Sequence, residues 1–144
     1  MIAYLDTSVL LPALVEDLPQ HEHCKTLFQK LVAEGEVVCM STHLAAELYA
    51  NLTRLPIAER IHPNIALESI FQLSSVVRPI ELGWNDYKIA LRRCAQKELI
   101  SGIIYDALHL QAAIKAGAHT LYTANFKDFE RLWEEELPVK LERV

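Results

Sequence analysis

The chain has 144 residues, half of them apolar, with sparse glycine and proline and a formal charge of −5. That size supports one good hydrophobic core, and that composition excludes disordered and collagen-like classes. The acidic balance excludes a simple nucleic-acid coat, but not an enzyme on nucleic acid that keeps its acids in a metal site and its bases on the rim.

Ile2-Ala3-Tyr4-Leu5 is a short apolar run that reads as a strand buried on both faces, and Asp6 follows at its carboxyl end. Thr7 and Ser8 are helix-start residues, and a first helix is expected from Thr7 to about Val15, with Pro12 tolerable in its first turns. From Gln20 to Glu34, Cys24, Leu27, Phe28, Leu31 and Val32 recur at helical spacing, and Gly35 stops that helix. Val37-Val38-Cys39-Met40 is a second buried strand, and Ser41-Thr42 caps a helix from about His43 to Arg54. A further helix is expected from Pro63 to Leu73. Val76 to Leu82 is extended, and Pro79 marks it as a short or edge strand. Trp84 to Leu99 reads as an amphipathic helix with Trp84, Tyr87, Leu91, Cys94 and Ala95 inward. Ile104 to Ala116 is another helix, Thr120 to Thr123 a buried strand, and Asn125 to Phe129 opens a last polar helix. Val139-Lys140-Leu141 is a candidate edge strand. Strands alternating with helices imply right-handed crossovers and a single α/β domain over residues 1–144, a three-layer α/β/α sandwich around a mostly parallel sheet.

No apolar run reaches the ~18 residues of a membrane span. The N-terminus shows no basic region ahead of an apolar one, so no signal peptide is expected. Cys24, Cys39 and Cys94 are odd in number and form no CxxC pair, as expected for reduced, buried thiols of a cytoplasmic protein.

Open α/β sheets bind ligands just beyond the strand carboxyl ends, which directs attention to the acids there. Asp6 follows the first strand. Asp106 lies in the first turn of an apolar helix, where free N–H groups favour an ionised carboxylate. Asn125 and Asp128 follow the strand ending at Thr123. Glu47 lies at the edge of the Leu44, Leu48, Leu52 stripe, able to lean over the same rim. Taken singly, each acid has an ordinary helix-start or solvated-face reading. Taken together they would repel: two unit charges ~4 Å apart cost roughly 4 kcal/mol at an effective dielectric near 20. A hard divalent cation neutralises such a cluster, and oxygen ligands that leave room for water suit Mg²⁺ or Mn²⁺, ions that commonly handle phosphate chemistry.

Tyr4-Leu5-Asp6-Thr7-Ser8, Ala46-Glu47-Leu48, Ile104 to His109 and Thr123 to Phe129 resemble, in order, the successive signatures of the PIN domain, and most nearly those of VapC-type toxins of toxin–antitoxin pairs. The resemblance runs from Met1 to about Phe129. It implies a Mg²⁺- or Mn²⁺-dependent endoribonuclease cutting tRNA or rRNA, a homodimer, and a cognate antitoxin covering the acidic cleft. It also implies that Asp6, Glu47 and Asp106 are the three acids of the site and the metal ligands. Ser8 and Thr123 match hydroxyls that bond those acids or the substrate phosphate. The fourth acidic position falls on Asn125, a neutral amide, with Asp128 three residues later. That leaves open whether one or two metals bind and whether Asp128 reaches them. A PIN-like fold kept as an RNA- or protein-binding module is the alternative, and Asn125 is the residue that leans towards it.

His21 and His23 form an H-x-H with no further ligand placed to complete a zinc site, and they read as exposed helix residues. His109, one turn beyond Asp106, suits packing or hydrogen bonding better than catalysis. Ser8 lacks a relay and a nucleophile elbow. A receiver domain needs an acidic pair after the first strand, a haloacid-dehalogenase-like phosphatase a second Asp at position 8, and a P-loop its glycines; none is present. The Lys88, Arg92, Arg93, Lys97 stripe reads as a solvated face, part of which, with Arg54 or Lys127, is a candidate for holding RNA phosphates.

Overall fold

The computed structural model describes residues 1–144. The elements in chain order are β1 (Ile2–Leu5), α1 (Thr7–Leu14), α2 (His21–Ala33), β2 (Val37–Ser41), α3 (Thr42–Arg54), α4 (Pro63–Ser74), β3 (Arg78–Ile80), α5 (Trp84–Gln96), α6 (Ile103–Lys115), β4 (Thr120–Thr123), α7 (Phe126–Leu132) and β5 (Lys140–Arg143). The five strands form one sheet in the order β3-β2-β1-β4-β5. Every pair is parallel, including the last, which pairs Thr120 with Lys140 and Thr123 with Arg143.

Alternation along the strands divides the core between the two faces of the sheet. Ala3 and Leu5 of β1 join Val38 and Met40 of β2 in a cluster with Val9, Leu10, Leu44, Leu48 and Ile70 of α1, α3 and α4. Tyr4 and Cys39 point the other way, among Ala90, Cys94, Leu108, Leu110 and Phe129 of α5, α6 and α7. The result is the expected α/β/α sandwich, with a wholly parallel sheet. No helix is long and apolar enough to cross a membrane. The three cysteines are free and buried.

Strand β1 neighbours both β2 and β4, so the winding reverses there. Doubly wound sheets form their ligand crevice at such a reversal, here outside the carboxyl ends of β1 and β4. Helix α6 lies against this region and is buried almost all round, from Ala107 through Ala113.

Two expectations need correction. The inner face of α5 is Asp86, Ala90 and Cys94, whereas Trp84 is 69% exposed, Leu91 46% exposed, and Ala95 is exposed too. The polar residue faces inward because the Lys115 ammonium and the Gln111 amide of α6 bond its carboxylate, at 2.7 and 3.2 Å. An apolar-stripe reading of α5 misses a helix whose contact is made by small residues and one paired charge. His21 is buried, not exposed, because its ring Nδ1 lies 2.8 Å from the carbonyl of Pro12 and fixes α2 against α1.

Candidate active site

Asp6 ends β1 and stands where the chain turns into α1. Its backbone takes the position before the helix, yet its side chain makes no capping bond. Instead the carboxylate, 1% exposed, turns to the crevice. Ser8 Oγ donates to Oδ1 at 2.6 Å and Thr123 Oγ1 donates to Oδ2 at 2.7 Å. The hydroxyls are themselves oriented by backbone N–H groups: Ala124 donates to Ser8 Oγ at 2.8 Å and Asn125 to Thr123 Oγ1 at 2.9 Å. The sharp exit from β4 thus supplies donors that hold the acid on β1. Burial still pushes the Asp6 carboxyl up from the usual carboxylate range. The His109 charge and the Ser8 and Thr123 hydroxyls oppose that shift without cancelling it.

Glu47, on α3, is held from the other side. Thr7 Oγ1 donates to Oε2 at 2.8 Å. Oε1 lies 3.1 Å from His109 Nε2 and 3.2 Å from His43 Nε2. Burial alone would raise this carboxyl; the bond and charge of His109, with Thr7 and His43, outweigh it and bring it below its ordinary value. His109 is 2% exposed, and its Nδ1 lies 2.7 Å from the Tyr4 hydroxyl, which accepts the Ser41 N–H at 3.0 Å. A proton on Nε2 therefore faces Glu47. Burial works against a charged His109, but Glu47 first, then Asp6 and Asp106, raise its pKa above the ordinary imidazole value. His43 stacks on Tyr105 with centroids 5.2 Å apart, which fixes its ring beside Glu47.

Asp106, in the first turn of α6, feels the charges of the same groups. Burial raises its carboxyl to about 7; Asp6, Asp128 and Glu47 push it further up while His109 opposes them. The charges of four acids therefore meet near this residue. Asn125 and Asp128 line an adjoining open cleft of about 400 Å³ with Ala124, Phe126, Lys127 and Arg143. Asp128 lies 3.9 Å from Arg131, one turn along α7.

The donor chemistry fits a hard divalent cation. The acids offer only oxygen, and beyond burial the charges of Asp6, Asp128 and Glu47 raise the Asp106 carboxyl, a repulsion that a cation would relieve. The carboxylates do not converge into a cage of three or more ligands. Magnesium needs no such cage, since it is commonly held through one or two carboxylates and keeps several waters.

Thr7, His43 and Tyr4 were missed as site residues. Thr7 had a signal, a hydroxyl beside Asp6, but it read as a helix-start residue alone. His43 and Tyr4 had none, because their partners lie on other elements. The α5 stripe divides: Arg93 lies 3.6 Å from Glu134 and Lys97 donates to the Trp133 carbonyl at 3.3 Å, so both tie down the segment after α7.

Comparison with known proteins agrees with the fold. The sequence pattern of the PIN domain matches residues 3–134. No curated protein matches the chain. Among solved structures, VapBC2 from Rickettsia felis, bound to a DNA fragment from its promoter, has a chain 22% identical with a TM-score of 0.70, covering 100% of this chain and 99% of that one. VapC20 from Mycobacterium tuberculosis, a sarcin-ricin-loop-cleaving toxin, is 21% identical with a TM-score of 0.71, covering 94% and 99%. VapBC-1 from nontypeable Haemophilus influenzae is 17% identical with a TM-score of 0.69, covering 99% and 98%. At these identities the likeness is one of fold.

Proposed function

The chain belongs to the PIN-domain family, and from that premise we propose that it is a metal-dependent endoribonuclease, the toxin of a toxin–antitoxin pair, which hydrolyses phosphodiesters of tRNA or rRNA in the cytoplasm. One observation supports the reading: the charges of Asp6 and Glu47 reach Asp106 near the carboxyl edge of the sheet, each acid on a different element. A homodimer and a cognate antitoxin over the acidic crevice complete the reading. Both come from the resemblance to VapC-type toxins, and crystallised relatives described as VapBC support the pairing.

Asp6 and Asp106 would hold Mg²⁺ or Mn²⁺, with Glu47 as a further ligand directly or through water. Bound there, the ion would supply Lewis acidity towards a phosphoryl oxygen and a water acidic enough to attack near neutral pH. The chain's own groups set the stage. Ser8 and Thr123 fix the Asp6 carboxylate and donate to its charged form. Thr7 and His109 keep Glu47 ionised, so it contributes negative charge rather than a proton. Asn125 presents a neutral amide beside Asp128, which lowers the local negative charge where a phosphate must approach.

The test is cleavage of purified total tRNA and rRNA by antitoxin-free protein with Mn²⁺, with Mg²⁺ and with EDTA, using Asp106→Asn as control. Discrete fragments that require metal and vanish in the variant are expected. Absence of cleavage together with tight RNA binding would replace the nuclease with a binding module.

A further inference from the structure

Two cations at the carboxyl edge of the sheet have no acidic partner. Lys127 and Arg143 both line the open cleft beside Asn125 and Asp128. Neither is ion-paired, and the one carboxylate lining that cleft, Asp128, lies 3.9 Å from Arg131 instead. In an acidic chain, a pair of unneutralised cations sharing one cleft is a local field opposite to that of the whole molecule.

Arg143 is also held in place. Its guanidinium carbon lies 4.9 Å from the centroid of the Phe126 ring, a cation–π contact that restricts a long side chain. The next residue, Val144, donates its N–H to the Thr123 carbonyl at 3.0 Å, which fastens the end of β5. Arg143 is the register partner of Thr123, and Thr123 bonds Asp6. Asp6, Thr123 and Arg143 therefore form a row across three adjacent strands. With strands ~4.8 Å apart, the backbone of Arg143 stands roughly 10 Å from that of Asp6. One strand therefore separates Arg143 from Asp6, which sets it beside the acids, where a neighbouring phosphate would lie. The planar guanidinium fork matches phosphate oxygens in two-point fashion, and the Lys127 ammonium adds a point charge.

We propose that Lys127 and Arg143, with Arg143 braced on Phe126, form a phosphate subsite that holds the RNA backbone beside the bond to be cut. The subsite rests on the ribonuclease reading for its role, but its binding chemistry is separable from cleavage. It also replaces Arg93 and Lys97 of the α5 stripe, whose side chains are engaged within the fold.

The experiment titrates fluorescein-labelled total tRNA in EDTA against wild type, Lys127→Ala, Arg143→Ala, the double variant and Lys30→Ala as a remote control. Circular dichroism confirms folding, and Arg143→Lys tests the fork against a bare charge. Removing one phosphate-binding cation should flatten the slope of log K against log salt by about 0.7, so the double variant is flatter by about 1.4 and binds at least roughly tenfold more weakly at about 100 mM salt. Arg143→Lys should keep the slope and lose part of the affinity, and Lys30→Ala should match wild type. A double variant with wild-type slope and affinity overturns the proposal, and so does wild-type protein that binds no tRNA. Repeating the assay with Mn²⁺ separates the two readings. Binding without cleavage removes the nuclease and leaves the subsite; cleavage with an unchanged KM in the double variant removes the subsite and leaves the nuclease.

Discussion

Asp6 is buried and Glu47 half-buried, and their surroundings push them in opposite directions. Asp6 is held by neutral hydroxyls, and its carboxyl is raised. Glu47 is held by a hydroxyl and two imidazoles, and its carboxyl is lowered. The His109 charge reaches Asp6 without a hydrogen bond, and the deeper burial of Asp6 still wins. An imidazole brings both a proton and a charge. Glu47 is thus compensated by direct contact, while Asp6 and Asp106 feel the His109 charge without a bond to it.

The comparison breaks most directly at Asp6. Asp6→Asn keeps shape and hydrogen-bonding capacity and should lower metal-dependent RNA cleavage by more than roughly a hundredfold, since changes to a ligand's outer partners alone typically cost about 10–100-fold. Circular dichroism should show the fold intact; a variant cleaving at the wild-type rate would take Asp6 out of the site. Next in size is Thr123→Val, which retains the volume but withdraws one donor from Asp6. Activity or Mn²⁺ affinity should fall about 10- to 100-fold, read by titrating metal into the cleavage assay.

On the compensated side, His109→Gln should destabilise the protein by about 2 kcal/mol near pH 6, because it leaves a half-buried Glu47 without its charge partner. The sign follows from both partners. Glu47, depressed in the folded state, contributes stability above its unfolded value of 4.5 that is lost as pH falls through its lower folded value. His109, raised, contributes stability that is complete below 6.5 and lost as pH rises through its higher folded value. Urea unfolding across pH should therefore show the largest wild-type advantage between those limits; a variant with equal loss at every pH would reduce His109 to a packing residue.

The smallest effect sharpens the uncompensated side. The Asp106 carboxyl, raised from 3.8 to about 7, binds its proton more tightly in the folded state. Metal-free stability should then decline as pH rises from about 4 through 7. Asp106→Asn should be more stable than wild type by about 1 kcal/mol at pH 8, a figure discounted for the group's partial exposure, and by nothing at pH 4. Metal should reverse the order at pH 8 by stabilising only the wild type. Thermal melts with EDTA or Mn²⁺ distinguish these outcomes.

Much of this layout was legible along the chain. The placement of Asp6, Ser8, Asp106, Thr123 and Asn125 at element ends follows from apolar runs, hydroxyl caps and glycine stops, all of which act within a few residues. The inward face of α5 was only partly legible. Apolar periodicity placed Tyr87 and Cys94 inward as found, but it also pointed to Trp84 and Leu91, where Ala90 and a paired Asp86 complete the contact with α6. Arg143 was equally hidden, because its value lies in facing Thr123 across β4 and β5.

By itself the sequence determined which elements form and which polar residues stand at their ends, because caps, turns and burial patterns are local. The tertiary structure decided which way each acid's proton affinity shifts. Asp6 meets Thr123 only because β4 lies beside β1, and Glu47 meets His109 only because α3 and α6 both reach the carboxyl edge of the sheet. A pKa depends on the partners within a few ångströms, and strand order, which no local pattern encodes, chooses those partners.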